Sequence, residues 1–338
     1  MPTPLENKSL KNLNTFGIDA RTRYFSAFSS PEELAGLVEW AGSRRRLVLG
    51  GGSNLLLTGD IDGIVLHNRI CGIEQVNEDV DYVYVRAGAG ENWADFVEYC
   101  IGRGWAGLEN LSLIPGSVGA APMQNIGAYG VELASVFLEL DAWNLANRKI
   151  VTFTLGDCEF GYRDSAFKGR YRDQFVIVSV TLRLRKRPIF HTSYGALQEE
   201  LDRMGVQKLS IRAISQAVIA IRRSKLPDPA QIGNAGSFFK NPSVSNERFA
   251  GLQAKFPGIV GYPTVLGGTT KLAAGWMIEQ CGWKGYRRGD AGVHEQQALV
   301  LVNYGNAKGS EIYRLSEEIA ASVREKFGVT LEREVNVA

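Results

Sequence analysis

The sequence predicts a mixed α and β protein of two or three domains, and three observations lead there. At 338 residues the chain is long for a single hydrophobic core. Runs rich in β-branched residues, such as Phe175-Val-Ile-Val-Ser-Val-Thr-Leu-Arg-Leu184, are interspersed with segments of helical periodicity, such as 31–40 and 310–327. Between Ile114 and Gly130 the chain places four glycines and two prolines in seventeen residues. At that density of breakers an ordered loop is expected, anchored by Ile114, Val118, Met123 and Ile126.

Composition narrows the classes. Hydrophobic residues make up 45% and charged residues 22%, ordinary for a globular enzyme. A net charge of +2 offers no electrostatic case for nucleic acid or an anionic membrane, so neither partner is expected. The start, Met1-Pro-Thr-Pro-Leu-Glu-Asn, lacks the basic and apolar regions of a signal peptide, and no window approaches ~20 consecutive apolar residues. Cys71, Cys100, Cys158 and Cys281 lie far apart and form no CxxC pair, which points to reduced thiols in a cytoplasm. His67, His191 and His294 do not cluster with them, so no protein-bound metal is expected.

In chain order, a strand is expected over 24–28 and an amphipathic helix over 31–40 with Pro31 in its first turn. A strand over 46–50 runs into Gly50-Gly-Gly-Ser-Asn54, which either cradles a phosphate with backbone N–H groups or is a tight turn after a buried strand. The alternating strand 82–87 leads into Gly88-Ala-Gly90-Glu-Asn-Trp93 and a helix through Cys100. That resembles the start of a dinucleotide fingerprint, but Trp93 occupies the third glycine position and no acid-tipped strand follows. A strand-to-helix turn is the expectation there. The small residues of the 114–130 loop let backbone approach a ligand closely and leave amides to face it, so it reads as one wall of a nucleotide-sized site.

Strands are expected over 137–143, 149–154 and 175–184; the cations Arg183 to Arg187 read as a solvated strand end, with a domain boundary near 187–192. Helices follow over 197–204 and 210–224, the second capped by Ser210 and closed by Arg222, Arg223 and Lys225 in its last turn. Ser237 and Asn241 flank a short apolar strand, 271–280 reads as a helix, 298–302 as a buried strand, 310–327 as a long helix and 330–338 as an edge strand. Neither glycine loop is followed by Gly-Lys-Ser/Thr, so neither is a P-loop.

Five motifs stand in a recognisable order: Gly50-Gly-Gly-Ser-Asn54; Ile114-Pro-Gly-Ser-Val-Gly through Gln124-Asn-Ile-Gly-Ala-Tyr129; Gly161-Tyr-Arg-Asp-Ser-Ala-Phe-Lys168; Lys225-Leu-Pro-Asp-Pro; and Gly233-Asn-Ala-Gly-Ser-Phe-Phe-Lys-Asn-Pro242. Together they resemble the UDP-N-acetylenolpyruvoylglucosamine reductase family of bacterial peptidoglycan precursor synthesis, over about 16–335. Thr192-Ser-Tyr194-Gly-Ala-Leu looks like the tyrosine loop of its type I branch. The resemblance implies an α+β fold: an N-terminal extension over 1–15, an FAD-binding region of the vanillyl-alcohol-oxidase type over 16–187 in two subdomains split near 70–75, and an α+β substrate-binding domain over 188–338.

It further implies FAD and NADPH as cofactors, and reduction of the enolpyruvyl ether of UDP-N-acetylglucosamine by hydride from flavin N5. A cytoplasmic monomer is expected. Cofactor contacts would come from Gly50, Gly51, Gly52, Ser53 and Asn54, and from Ile114, Pro115, Gly116, Ser117, Gly119, Ala120, Gln124, Asn125, Gly127, Ala128 and Tyr129. Arg163 matches the cation that stabilises developing charge, Ser237 the proton donor and Glu334 the polarising glutamate. Tyr194, Lys225, Asn241 and Gln296 fall where the family binds substrate or cofactor phosphates.

Each residue has a structural alternative: Ser237 satisfying a strand turn, Arg163 pairing with Asp164, Lys225 capping its helix, Glu334 solvated on its strand. The ending departs from the family's Pro-Glu-Val-Arg: Arg333-Glu-Val-Asn336 puts an amide where an arginine is usual, and Glu332 lies close enough for the two acids to exchange register. A flavin-dependent oxidase of another alcohol or sugar, or a nonenzymatic flavin or nucleotide-sugar binder, are the alternative functions.

Overall fold

A computed structural model describes residues 3–264 and 267–338. The chain forms two compact units. The first takes the chain up to Lys8, Thr22–Gly51 and Ile61–Ser224; the second takes Ser9–Arg21, Gly52–Asp60 and Lys225–Ala338.

The first unit contains two sheets. One runs in the order Leu5–Ser9, Arg21–Phe28, Ile61–Asn68, Arg46–Leu49, with the last three strands parallel. Parallel neighbours need a crossover, and the helix Pro31–Ala41 provides it. Ser30 caps that helix by accepting from Glu33 N, and Gly42 ends it at φ 55°. Its apolar stripe, Leu34, Leu37, Val38 and Ala41, packs on Phe28, Ile64 and Leu66 and on Trp143, Val176 and Val178 of the second sheet.

That second sheet is antiparallel, in the order Ile150–Thr154, Phe137–Asn144, Phe175–Arg185, Tyr82–Gly88, Ile73–Glu78. Helix Trp93–Gly102, capped by Asn92, buries Trp93, Phe96, Val97, Cys100 and Ile101 in the largest core of the unit. The first sheet ends at Asn68 and the second begins at Ile73.

Residues 188–224 lie in the first unit, whereas a boundary is expected at 187/188. Helices Leu197–Arg203 and Ile211–Lys225 close their apolar stripes on one another and on Tyr129 and Phe190, so the compact units part at Ser224/Lys225 instead. Strand Phe175–Arg185 has already ended before Pro188. Ser210 caps its helix as expected, accepting from Ala213 N at 3.1 Å.

The second unit is built on an antiparallel sheet ordered Gly233–Ser237, Val300–Asn303, Ala291–Val293, Arg287–Arg288. Helix Gly309–Phe327 buries Ile312, Leu315, Ile319, Val323 and Phe327. A smaller sheet joins Ser243–Ser245, Thr269–Leu272 and Gly261–Pro263. Early residues complete the unit: Asn303 Nδ2 donates to Phe16 O at 2.9 Å, Thr15 N to Gly52 O at 3.1 Å, and Thr58 N and Oγ1 each to Ala338 O at 2.9 Å. Strand Asn336–Val337 pairs in parallel with Leu55–Leu56.

Two expected elements are corrected. The helix placed at 271–280 begins at Ala274, because Lys271 and Leu272 pair in the strand Thr269–Leu272 and Asn241 Oδ1 takes the Ala274 N–H that opens the helix. The edge strand placed at 330–338 is a ladder only at Asn336–Val337, Arg333 making a single bridge to Phe239.

Two histidines, His67 half-buried and His294 buried, set an acid limit to stability. Burial holds His67 below its ordinary value of 6.5, helped by Arg69 and opposed by a hydrogen bond with the Gly50 backbone. Burial likewise holds His294 below 6.5, opposed by Glu295. Because both rings fold neutral, the stability they contribute is complete above 6.5 and is lost as pH falls through their folded-state values. Urea midpoints measured downward from pH 7 are expected to fall on crossing 6.5, and less steeply in His67→Asn.

Candidate active site

The two glycine loops of the first unit meet backbone to backbone. A Cβ on Gly51 would stand 2.9 Å from Gly116 Cα, and one on Gly50 would stand 2.2 Å from Ser117 Oγ. Only glycine allows that approach at Gly51, which answers why the turn carries glycines at all. A Gly51→Val protein is expected to fold yet purify without its yellow chromophore, read as the 450 nm to 280 nm absorbance ratio.

The 114–130 loop is ordered but not free of local helix. It contains 3₁₀ turns at Val118–Ala120 and Pro122–Gln124 and a two-stranded hairpin, Gly127–Ala128 with Val131–Glu132. Its amides are also less available than expected. Val118 N donates to Glu91 O, Gly119 N to Ala89 O, Ala120 N to Ser117 O and Ala121 N to Val118 O. The N–H groups of Gly116 and Ser117 have no acceptor among the described residues, and these are the donors an anion would take. Gly119 is a packing glycine, since a Cβ there would lie 2.5 Å from Ala89 Cβ. The segment 88–91 is the strand-to-helix turn expected, and it also forms the floor on which the loop rests.

Asn125 is buried with φ 43°, and its side chain is committed to the protein. Nδ2 donates to Glu132 Oε2 at 2.9 Å and Gly161 O at 3.1 Å, while Oδ1 accepts from Ala134 N at 3.0 Å. It shapes the loop rather than offering a polar side chain to a ligand. The 161–168 motif is stitched to the same loop: Ser165 Oγ donates to Met123 O at 2.8 Å, Lys168 Nζ to Gln124 Oε1 at 3.4 Å, and Arg163 Nη2 to Gly127 O at 2.7 Å. Arg163 itself sits at φ 54°, a conformation the surrounding structure must impose on it.

Arg222, placed by the sequence reading only as a helix-end cation, has unusual surroundings. Burial pushes its guanidinium below the ordinary arginine value, the nearby Tyr129 works against that, and Arg163 adds to it. Arginine does not give up its proton under these conditions, so Arg222 stays a cation whose charge and that of Arg163 oppose one another. Such a pair suits a carboxylate or phosphate. The signal was present: Arg222 follows Val218 by four residues on the buried stripe Ile214, Val218, Ile221, where a cation is out of place. Tyr194 is exposed and lies against Gly130, whose Cβ would stand 3.3 Å from Tyr194 Cβ.

In the second unit, Ser237 ends its strand beside a register shift, with Gly236 at φ 71°. Phe238 N donates to Leu299 O, and Glu334 N donates to Phe238 O at 2.9 Å, so Glu334 is one backbone step from Ser237. The two acids differ in surroundings: Glu332 is exposed and its carboxylate pairs with Lys240 Nζ at 2.5 Å, whereas Glu334 is half-buried; both meet the 238–240 segment through their backbones. Asn54 Nδ2 donates to Glu334 O at 3.2 Å. Asn336, where the family pattern has arginine, donates through Nδ2 to Asn54 O at 3.1 Å and thereby ties the terminal strand to the Gly52–Asn54 part of the turn.

Asn241 spends its Oδ1 on the helix at Ala274, leaving Nδ2 as the donor it can offer. Gln296 is exposed, and its N–H meets His294 Nδ1 at 3.4 Å. Lys225, the last residue of its helix, is exposed.

Residues 228–338 match the family of UDP-N-acetylenolpyruvoylglucosamine reductase C-terminal domains, and residues 23–154 match the family of FAD binding domains. UDP-N-acetylenolpyruvoylglucosamine reductase of Amoebophilus asiaticus is 52% identical over 334 residues, covering 98% of each chain. That of Pseudomonas putida is 50% identical over 334 residues, again covering 98% of each. The crystal structure of the Thermus caldophilus reductase superposes with a TM-score of 0.68 at 25% identity, over 99% of both chains.

Proposed function

The chain belongs to the UDP-N-acetylenolpyruvoylglucosamine reductase family, and from that premise we propose how its residues divide the work. It is an FAD- and NADPH-dependent oxidoreductase of peptidoglycan precursor synthesis that reduces the enolpyruvyl ether of UDP-N-acetylglucosamine. The bare contact of Gly50 and Gly51 with Gly116 and Ser117, with two N–H groups that meet no acceptor among the described residues, fits a pyrophosphate.

When bound, FAD supplies the hydride chemistry, accepting from NADPH and passing hydride to the terminal vinyl carbon of the substrate. Negative charge then builds at the neighbouring carbon, beside the substrate carboxylate. In our reading Arg163 stabilises that charge and Arg222 holds the carboxylate, two cations already close enough to feel one another. Ser237 delivers a proton to the charged carbon; its hydroxyl is a weak acid but sufficient for so basic a centre. Glu334 polarises the same centre. Tyr194, Lys225, Asn241 and Gln296 take the diphosphate and sugar, Lys225 as a mobile point charge.

The placement of Glu334 one backbone step from Ser237 carries this reading, because simple binding of a flavin or nucleotide sugar requires neither. No helix of the described residues is long and apolar enough to cross a membrane. The enzyme works in the cytoplasm as a single chain under this reading, without nucleic acid or membrane partners.

The test is an anaerobic visible spectrum of the purified protein, first with NADPH and then with UDP-N-acetylglucosamine enolpyruvate. Bleaching followed by return of the flavin band on substrate addition is the expected result. A band that returns only with oxygen would make the protein an oxidase, and absence of a band after FAD addition would make the binding assignment wrong.

A further inference from the structure

Behind the loop wall of the first unit lies a buried polar segment, Glu109-Asn-Leu-Ser112, that the proposed mechanism does not use. Asn110 is 1% exposed, and its Nδ2 donates twice: to Tyr129 O at 3.0 Å and to His191 O at 2.8 Å. Two donors of one amide are thereby spent on two separate chain segments. One carbonyl belongs to Tyr129, whose backbone is held at φ 47°. The other precedes the Tyr194 turn by three residues, and Tyr194 in turn lies against Gly130. The neighbours of Asn110 are fixed as well: Leu111 O accepts from Trp93 Nε1 at 3.0 Å, and Glu109 Oε2 accepts from Gly107 N at 2.7 Å. Ser112 Oγ donates to Glu109 O, so the 2.8 Å contact between the Ser112 and Ser215 hydroxyls has Ser215 as donor. Ser215 lies on the same helix as Arg222.

We infer that Asn110 is a positioning residue for the substrate-binding tyrosine segment: its amide nitrogen clamps the Tyr129 and His191 carbonyls and so fixes where Tyr194 stands over the cofactor loop. It touches no ligand and acts through Tyr194. The inference rests on the reading that Tyr194 binds the sugar nucleotide. A general argument favours an amide here. Both acceptors are carbonyls, so a carboxylate of the same shape would repel both, and an apolar side chain would leave two buried oxygens without donors.

The experiment is a double-mutant cycle read in KM for the enolpyruvyl sugar nucleotide, with kcat followed separately. Asn110→Ala is expected to raise KM about tenfold, the equivalent of losing one good hydrogen bond to a charged group, with kcat little changed. Tyr194→Ala is expected to raise it as well, and the double variant no further than Tyr194→Ala alone. If Asn110→Ala fails to fold, Asn110→Ser, which keeps one donor, is measured in its place and is expected to lie between parent and Tyr194→Ala. Additive KM effects would make Asn110 a structural residue only, as would an unchanged KM in a folded Asn110 variant beside a raised KM in Tyr194→Ala. An unchanged KM in Tyr194→Ala would remove the binding role of Tyr194 itself, a separate failure.

Discussion

Ser237→Ala is expected to split the catalytic cycle: flavin reduction by NADPH proceeds close to the parental rate, while reoxidation by substrate slows by ~10²–10⁴-fold, the usual contribution of a positioned proton donor. The substitution removes one hydroxyl from a residue whose backbone pairs with Val300, so the fold has little reason to change. Anaerobic stopped-flow absorbance at the flavin band separates the two half-reactions in one experiment. Equal slowing of both would mean that Ser237 merely shapes the strand end beside Gly236.

Arg163→Met is expected to cost ~10²–10³-fold in the same reoxidation step, the typical loss on removing one donor aimed at developing charge. Lysine should recover little. Arg163 donates through Nη2 to Gly127 O, and holding that bond while addressing a substrate charge is a task for a planar fork of donors, not for a single ammonium. Because the Gly127 contact is lost too, KM and the reoxidation rate need separate measurement. A methionine variant that reoxidises at the parental rate would remove Arg163 from the chemistry. Glu334→Gln should impair the same step, whereas Glu332→Gln should not, since Glu332 is an exposed partner of Lys240.

The parts of this architecture that were legible in the sequence are those in which a residue type is forced. Gly51 admits no side chain against Gly116, Ser210 caps its helix, and the long amphipathic run ending at Phe327 has one face to bury. Elements whose stability comes from neighbours were invisible. Strand Ile73–Glu78 exposes Glu74, Gln75, Val76, Asn77 and Glu78, so no alternation marks it; only pairing with Tyr82–Gly88 makes it a strand. Strand Ile61–Asn68 is a buried parallel strand whose Asp62 and Gly63 interrupt its apolar run. The place where the compact units part was hidden for a related reason. Pro188 and a run of cations look like a linker, and nothing local says that two helices beyond them will pack on Tyr129 and Phe190.

The site divides the same way. Arg163, Ser237 and Glu334 lie within recognisable motifs, whereas the roles proposed for Arg222 and Asn110 depend on what surrounds them. Arg222 is informative only once its helix has a buried face, and Asn110 only once two distant carbonyls converge on it.

The assembly of the second unit has a consequence for how the chain matures. Residues 9–21 and 52–60 are made early, yet their partners lie up to 287 positions later, as in the bond from Asn303 to Phe16. At synthesis rates of roughly 5–20 residues per second, those early stretches wait about 15–60 s before their partner strands exist. The first unit, whose last residue is Ser224, can collapse on its own core during that interval, and the second closes last, in a step dominated by long loop closures and therefore slow. A ribosome-stalled chain halted at residue 224 should thus protect the Trp93–Gly102 helix from protease while Phe16 and Leu56 remain cleavable.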